Sequence, residues 1–446
     1  MSRQATPTGA EKERVLLCGV VFPDRSRESG GPLAEARGLV VASGAEPIGE
    51  VPVQRRDRPH PGTLFGKGKV EEIKDEIKRL SPDALIVDND LTPAQVRNLE
   101  NELDVRIVDR SELILDIFAT RAKTKQAHLQ VELAQVEYLL PRLRRMWTHL
   151  ERLDGGVGTR GPGETQLETD RRLLQKRVDD LRRQLKEIEK RKHRQVLSRV
   201  EEFTVGLIGY TNAGKSTLLN ALTGADVFAE DMLFATLDTR TRKWRLEGGH
   251  TVLISDTVGF LQRLPHHLVA SFHATLEEAL NVDLLLHVVD SSHPDAALQM
   301  EAVEAVLNQL SEHRPADVIV FNKVDLVEDP LRMHLLLGER QVEVVHLSAG
   351  TGEGLDRLDR VVQARIDARS VVAKVKVPMA HGDVLAAIQK SAAVLEQGVE
   401  GDQFICLTVR ALERTLGNLQ RRAPEAVVFE VIEPATDPFT SSGSGE

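Results

Sequence analysis

Three observations predict a multidomain α/β fold. A Gly-x-x-x-x-Gly-Lys-Ser loop sits between an apolar run and a helical pattern, two acidic motifs each close an apolar run of their own, and two heptad-patterned segments flank a glycine-rich break. The predicted centre is a P-loop nucleotide-binding domain at 202–367. An N-terminal α/β domain at 13–115 and an antiparallel helical hairpin at 116–200, with its tip at 154–163, precede it. A small C-terminal α+β domain at 371–433 and a disordered Pro/Ser/Gly-rich tail at 434–446 follow.

Length supports the division, because 446 residues exceed what one ordinary core organises. Hydrophobic residues make up 41% and charged residues 28%, as in a water-soluble globular chain. The low aromatic content, 4%, fits helix-rich Leu/Val packing better than a base-stacking surface. No apolar run approaches the ~20 residues of a membrane span, and the polar start from Met1 to Arg14 does not resemble a secretory signal. Cys18 and Cys406 lie in separate apolar runs and read as buried thiols in a reducing cytoplasm.

In the N-terminal region, Arg14–Val21, Ala84–Asp88 and Val105–Asp109 read as strands. The helix patterns fall at 33–43, 69–80 and 92–103, the last capped by Thr92 ahead of Pro93. In the hairpin, Leu129, Leu133, Val136, Leu140, Leu143, Trp147 and Leu150 recur in heptads. Leu167, Leu174, Val178, Leu181, Leu185 and Ile188 continue the pattern after the break, and Pro141 should kink the first helix. The break, residues 154–163, holds five glycines and Arg160, more than a helix–helix turn requires. The formal net charge of −10 argues against a generally basic nucleic-acid binder, yet residues 171–200 carry 12 Lys/Arg against 4 Asp/Glu. That stripe suits a localised RNA or phosphate contact, and a solvated coiled-coil face accounts for it equally well.

The nucleotide chemistry can be assigned residue by residue. After the run Thr204–Gly209, the loop Gly209, Tyr210, Thr211, Asn212, Ala213, Gly214, Lys215, Ser216 and Thr217 aims backbone N–H groups and a helix N-terminus at phosphate oxygens. Lys215 should reach the β- and γ-phosphates, and Ser216 should ligate Mg²⁺. Asp256 ends the apolar run Thr251–Ser255 and, followed by Thr257, Val258 and Gly259, should hold the metal through water, with the Gly259 N–H near the γ-phosphate. Asn322, Lys323, Val324 and Asp325 distinguish the base. Asp325 can accept from guanine N1–H and the 2-amino group, whereas adenine would leave the carboxylate unpaired; Asn322 would help read the purine edge and the Lys323 stem would cover its face. Ser348, Ala349 and Gly350 supply backbone for the guanine carbonyl. Four motifs in this order predict a GTPase domain, with strands at 204–209, 241–246, 251–255, 283–289, 317–321 and 343–347.

The γ-phosphate sensor should be a threonine in Phe234, Ala235, Thr236, Leu237, Asp238 and Thr239, and the residues alone do not choose between Thr236 and Thr239. Phe260 stands where many regulatory GTPases carry a water-orienting glutamine, so intrinsic hydrolysis should be slow. In the C-terminal region 371–377, 403–409 and 426–431 read as strands, with a helix at 382–396. Gly62–Lys69 precedes a helix but lacks P-loop spacing, and reads as a turn or an RNA contact ahead of a second nucleotide site.

These motifs, with the glycine-rich stretch Gly155–Asp170, resemble the HflX GTPases of the Obg group over about residues 13–433. The resemblance favours Thr236 as switch threonine and second Mg²⁺ ligand, and makes the hydrophobic residue at 260 a family trait. It implies GTP/GDP and Mg²⁺ as cofactors, Lys215, Thr236 and Gly259 as the catalytic set, and the large ribosomal subunit and its RNA as partner. The hairpin 129–200 and the loop Gly155–Gly163 would make that contact, with a monomer in the cytoplasm splitting or rescuing stalled ribosomes under stress. A docking factor for ribosome assembly or hibernation, or a switch acting on a protein partner, are the competing readings.

Overall fold

The computed structural model describes residues 12–23, 31–145, 162–197, 202–224, 234, 240–256, 259–261, 268, 280–310, 315–329, 331–338, 340–400, 403–422 and 428–435. Two compact units are present: Met1–Ile188 with Glu230–Asp238 and Leu261–His273, and Glu189–Ala229 with Thr239–Phe260 and Ala274–Glu446.

The first unit contains β1 (Arg14–Cys18), β2 (Val20–Val21), α1 (Ala34–Ser43), β3 (Glu46–Glu50), β4 (Gln54–Arg55), α2 (Lys67–Leu80) and β5 (Ala84–Val87). It continues with α3 (Pro93–Leu103), β6 (Arg106–Asp109), α4 (Arg110–Arg121), α5 (Lys125–Leu139), a 3-10 turn at Leu140–Arg145 and the start of α6 (Pro162–Leu197). The main sheet, β3-β1-β5-β6, is parallel throughout. Helix α3 begins as its sequence dictates: the Thr92 hydroxyl accepts from the Gln95 N–H and Gln95 Oε1 accepts from the Thr92 N–H, a reciprocal cap with Pro93 at the first turn. The sequence reading passed over β3, whose Glu-Pro-Ile-Gly-Glu has no strand signal. As an edge strand it tolerates Pro47, and a Cβ on Gly49 would lie 2.6 Å from a Leu80 methyl. Helix α4 was missed as well. It follows β6 without a loop, capped by Asp109, whose Oδ1 accepts the Glu112 N–H at 2.8 Å.

Arg110, 1% exposed, reaches Asp88 Oδ1 at 2.6 Å and Glu35 Oε2 at 2.5 Å. Removing one member of a buried ion cluster strands the others' charge. Arg110→Ala should therefore destabilise this unit by about 3–5 kcal/mol, read as an earlier urea midpoint at unchanged m-value. The Gly62–Lys69 stretch is tied down by its neighbours: Gly66 N–H donates to Gln54 Oε1 and Asn98 Nδ2 donates to Gly62 O, both at 2.9 Å. His60 and Leu64 exchange backbone hydrogen bonds, the Thr63 hydroxyl donates to Phe65 O, and Lys69 pairs with Glu72 at 2.7 Å, as the turn reading expects.

The heptad residues meet in one cluster: Leu129, Leu133 and Val136 from α5 with Val178, Leu181 and Leu185 from α6, flanked by Leu140, Leu174 and Ile188. Arg177 donates to Glu132 at 2.6 Å and Arg182 to Glu137 at 2.8 Å. Each pair joins like heptad positions, as antiparallel helices do. At Pro141 helix α5 gives way to the 3-10 turn, so the expected kink is a helix end. Trp147, Leu150 and tip residues 154–161, including Arg160, lie outside the described residues, as does the tail 436–446; Pro162 and Gly163, expected in the tip, already belong to α6, which Pro162 opens as proline can at a first helical position.

The second unit holds β7 (Phe203–Gly209), α7 (Lys215–Thr223), β8 (Arg240–Arg245), β9 (Thr251–Asp256), β10 (Leu284–Asp290), α8 (Ala296–Leu310), β11 (Val318–Asn322), α9 (Leu331–Leu337), β12 (Glu343–His346) and α10 (Leu355–Arg369). Its six strands run in the order β12-β11-β10-β7-β9-β8, parallel except for β8 against β9, and all six lie within a residue or two of their expected ranges. A second, antiparallel sheet, β14-β15-β13-β16, follows: β13 (Ser370–Pro378), α11 (Gly382–Ser391), β14 (Ala393–Glu400), β15 (Phe404–Leu412), α12 (Glu413–Arg422) and β16 (Val428–Glu433). Arg414 of α12 grips Asp283, just before β10, through both guanidinium ends at 2.9 and 2.6 Å.

Two expectations change here. The helix expected at 382–396 stops at Ser391, and Ala393–Glu400 pairs with β15 instead, because cross-strand hydrogen bonds outweigh the weak helical preference of a segment carrying Val394, Gly398 and Val399. Cys18 is buried as expected, but Cys406 is only half-buried on β15, its Sγ 3.2 Å from Glu400 Oε2. Among the described residues no helix is long and apolar enough to cross a membrane.

Candidate nucleotide site

The site forms where β7, β9, β10 and β11 end. Two glycines open the loop because the backbone demands them. Gly209 has φ +152° and a Cβ there would lie 2.2 Å from Val288 O; Gly214 has φ +89° and a Cβ would lie 2.3 Å from Asn322 Nδ2. Asn212 takes φ +63°, a conformation asparagine tolerates. Tyr210, Thr211, Ala213 and Lys215 are all buried, while Thr217 in the first turn of α7 is half-buried.

Lys215 Nζ donates to Gly209 O at 3.1 Å and Tyr210 O at 2.7 Å, curling under the loop it serves. Burial, against the pull of Asp256, pushes its ammonium down to about 8. Phosphate oxygens favour the charged form, so binding must return that group toward its ordinary range and take up a proton above pH 8. GDP affinity should therefore hold from pH 7 to 8 and weaken about tenfold by pH 9. A fluorescent-GDP titration over this range checks it; a flat profile would mean an unshifted lysine.

Ser216 Oγ donates to Asp256 Oδ2 at 2.6 Å, and Asp256 is fully buried. A hydroxyl against a buried carboxylate is a hard-oxygen donor set suited to Mg²⁺. Ser216 would ligate the ion directly and Asp256 through water, and the ion would neutralise phosphate charge. The other proposed ligand, Thr236, lies outside the described residues, as do Ala235, Leu237, Asp238, Thr257 and Val258. Phe234 is described: 2% exposed at φ +57°, it sets its ring edge-on to Phe118 of α4, centroids 4.6 Å apart, within the first unit.

Gly259 and Phe260 close against the loop through backbone. Thr211 N–H donates to Phe260 O at 2.7 Å, and Phe260 N–H donates to Gly209 O at 3.1 Å. A Cβ on Gly259 would lie 2.9 Å from Thr211 Cγ2 and 3.1 Å from Lys215 Nζ. The Phe260 side chain is 2% exposed, so it brings no polar group to the site.

At the base end, the structure gives Asn322 a role that sequence reasoning missed. Its Nδ2 donates to Ala213 O at 2.8 Å and its Oδ1 accepts the Ala349 N–H at 2.9 Å, bracing the phosphate loop against the loop after β12. Asp325, the expected base reader, is exposed and makes no side-chain hydrogen bond or ion pair among the described residues. Val324 begins its 3-10 turn, and Lys323, at φ +62°, holds Asp290 Oδ2 at 2.7 Å with its stem beside Gly214. Asp290, closing β10 as Asp256 closes β9, carried the same sequence signal and was overlooked. Ser348 Oγ accepts the Thr351 N–H at 3.2 Å, which fixes the turn that holds Ala349 and Gly350.

Comparison with known proteins agrees with this geometry. Residues 31–119 match the family described as GTP-binding GTPase N-terminal, 121–199 the GTP-binding GTPase middle region, and 204–323 the 50S ribosome-binding GTPase family. GTPase HflX of Lacrimispora saccharolytica is 46% identical over 356 residues, covering 79% of this chain and 82% of that protein. GTPase HflX of Escherichia coli K12 is 41% identical over 401 residues, covering 89% and 93%. A GTP-binding protein from Sulfolobus solfataricus, solved with GDP, is 21% identical with a TM-score of 0.42, covering 78% of this chain and 98% of its own. A phosphate loop and a serine backed by a buried carboxylate, on a chain matched by these relatives, make it a GTP-hydrolysing, GTP- and GDP-binding enzyme; it belongs to the HflX family of GTPases.

Proposed function

We propose that this GTPase works on the large ribosomal subunit, in the cytoplasm and as a monomer, and that its GTP-bound state splits or rescues stalled ribosomes under stress. The observation that carries the proposal is the match of residues 204–323 to a family described as 50S ribosome-binding GTPases. The charge pattern of α6 supports it. Arg177 and Arg182 are committed to α5, while Arg171, Arg172, Lys176, Lys186 and Arg191 are exposed along the same helix, a stripe suited to RNA phosphates. In this reading the hairpin docks, the tip Gly155–Gly163 with Arg160 enters a narrow RNA-lined space, and the nucleotide sets how long the complex lasts. Lys215 and the Gly259 N–H hold the γ-phosphate and Thr236 senses it. Phe260 provides no water-orienting group, so hydrolysis waits for the subunit.

Sedimentation of intact ribosomes with the full chain plus GTP, a non-hydrolysable analogue or GDP tests this. Dissociation to subunits, with the protein on the large one in the GTP form, is expected, and binding should fall steeply with salt. Docking without dissociation favours an assembly or hibernation factor. Absence of large-subunit binding in low salt, for wild type and Arg160→Ala alike, favours a protein-partner switch.

A further inference from the structure

Strand β10 reads Leu-Leu-Leu-His-Val-Val-Asp, every residue buried, with one imidazole in an otherwise apolar centre. His287 is 2% exposed and lines a cavity of about 280 Å³ between α8, the start of β11 and the segment leading to β12. Among the described residues nothing donates to or accepts from its ring. The ring's hydrogen-bonding capacity is therefore left to whatever occupies the cavity it lines.

The cavity's chemistry narrows what that is. Burial, then the charges of Arg340 and Lys215, push His287 down to about 3, so the ring is neutral and offers one donor and one acceptor. The Arg340 cation is already committed: Nε and Nη2 donate to the Glu304 carboxylate at 2.7 and 3.1 Å, and Nη1 to Leu336 O and Leu337 O at 3.2 and 3.4 Å. A paired cation and anion leave no net charge for a phosphate or an ammonium group. Ile319 and Val342 supply apolar wall, and Asn308 adds an amide at the rim. Pro315 and Ala316, also in the lining, precede β11, whereas Asn322 of the nucleotide site closes it, so the two sites lie toward opposite ends of that strand.

We propose that this cavity is a second ligand site, taking a small, neutral, planar heteroaromatic molecule of about nucleobase size that pairs a hydrogen-bond donor and acceptor with His287 between the apolar walls.

Benzimidazole, a neutral bicycle with one donor and one acceptor, is the probe, and indole, which keeps the donor and lacks the acceptor, is the control. Titrated into the GDP-loaded full chain at pH 7.5, benzimidazole should bind with Kd on the order of 1 mM and at least ~10-fold more tightly than indole. His287→Phe should lower its affinity at least ~10-fold with GDP affinity unchanged. Val342→Phe, which fills the cavity and leaves His287 in place, should abolish binding and keeps the test decisive if the first variant fails to fold. Equal binding of benzimidazole and indole, no saturable binding, or unchanged binding in Val342→Phe would each overturn the proposal.

Discussion

Asp325→Asn should cost this protein its guanine nucleotides and give it xanthine nucleotides. The Asp325 carboxylate is exposed and engaged with nothing described, so both oxygens are available to guanine N1–H and the 2-amino group. An asparagine there keeps one acceptor and sets its NH₂ against the second guanine donor, leaving two donors face to face. Xanthine carries an oxygen at that position and restores the match. Sites built around such polar pairs reject the mismatched partner by ~10⁴–10⁵, so GDP affinity should fall by about that factor and XDP should bind in its place. The fold should not change, because the side chain supports no internal contact. Equilibrium titration of both nucleotides against both proteins measures the exchange, and GDP affinity within threefold of wild type would remove Asp325 from base recognition.

Gly259→Ala should separate binding from chemistry. The added methyl would sit 2.9 Å from Thr211 Cγ2 and 3.1 Å from Lys215 Nζ, distances no real Cβ adopts or adopts only with difficulty. The segment would have to withdraw from the phosphate loop, breaking the Thr211–Phe260 and Phe260–Gly209 backbone hydrogen bonds and taking the 259 N–H away from the γ-phosphate. Losing one preorganised oxyanion donor typically lowers turnover by ~10²–10³. Single-turnover GTP hydrolysis should drop by that amount while GDP affinity stays within a few-fold, since GDP has no γ-phosphate. Equal loss of both would show that residue 259 supports the whole loop and not the γ-phosphate alone.

Much of this molecule could be read from its sequence, and the reasons are local. Four strands of the nucleotide domain, β7, β9, β10 and β11, are short apolar runs closed by a polar or glycine residue, and the phosphate loop needs positive φ at Gly214, where only glycine is comfortable. Thr92, Pro93 and Gln95 fix a helix start among themselves. What escaped was set by partners outside the segment itself. Strand β3 forms because β1 offers it an edge, β14 because β15 does, and neither pattern announces itself. Asn322 looks like a base reader until its amide is found spanning Ala213 and Ala349, residues far away in the chain. Phe260 was legible only as a missing glutamine; its backbone bridge to Gly209 and Thr211 depends on how β7 and β9 end side by side.

Whether this GTPase waits for the ribosome, as proposed, is read from the rate of GTP hydrolysis with and without purified large subunits. Turnover by the protein alone should be slow and should rise at least ~10²-fold when large subunits are added. Small subunits should give no such rise, and Gly259→Ala should blunt the stimulation. Fast hydrolysis by the isolated protein, or a rate that large subunits leave unchanged, would contradict it.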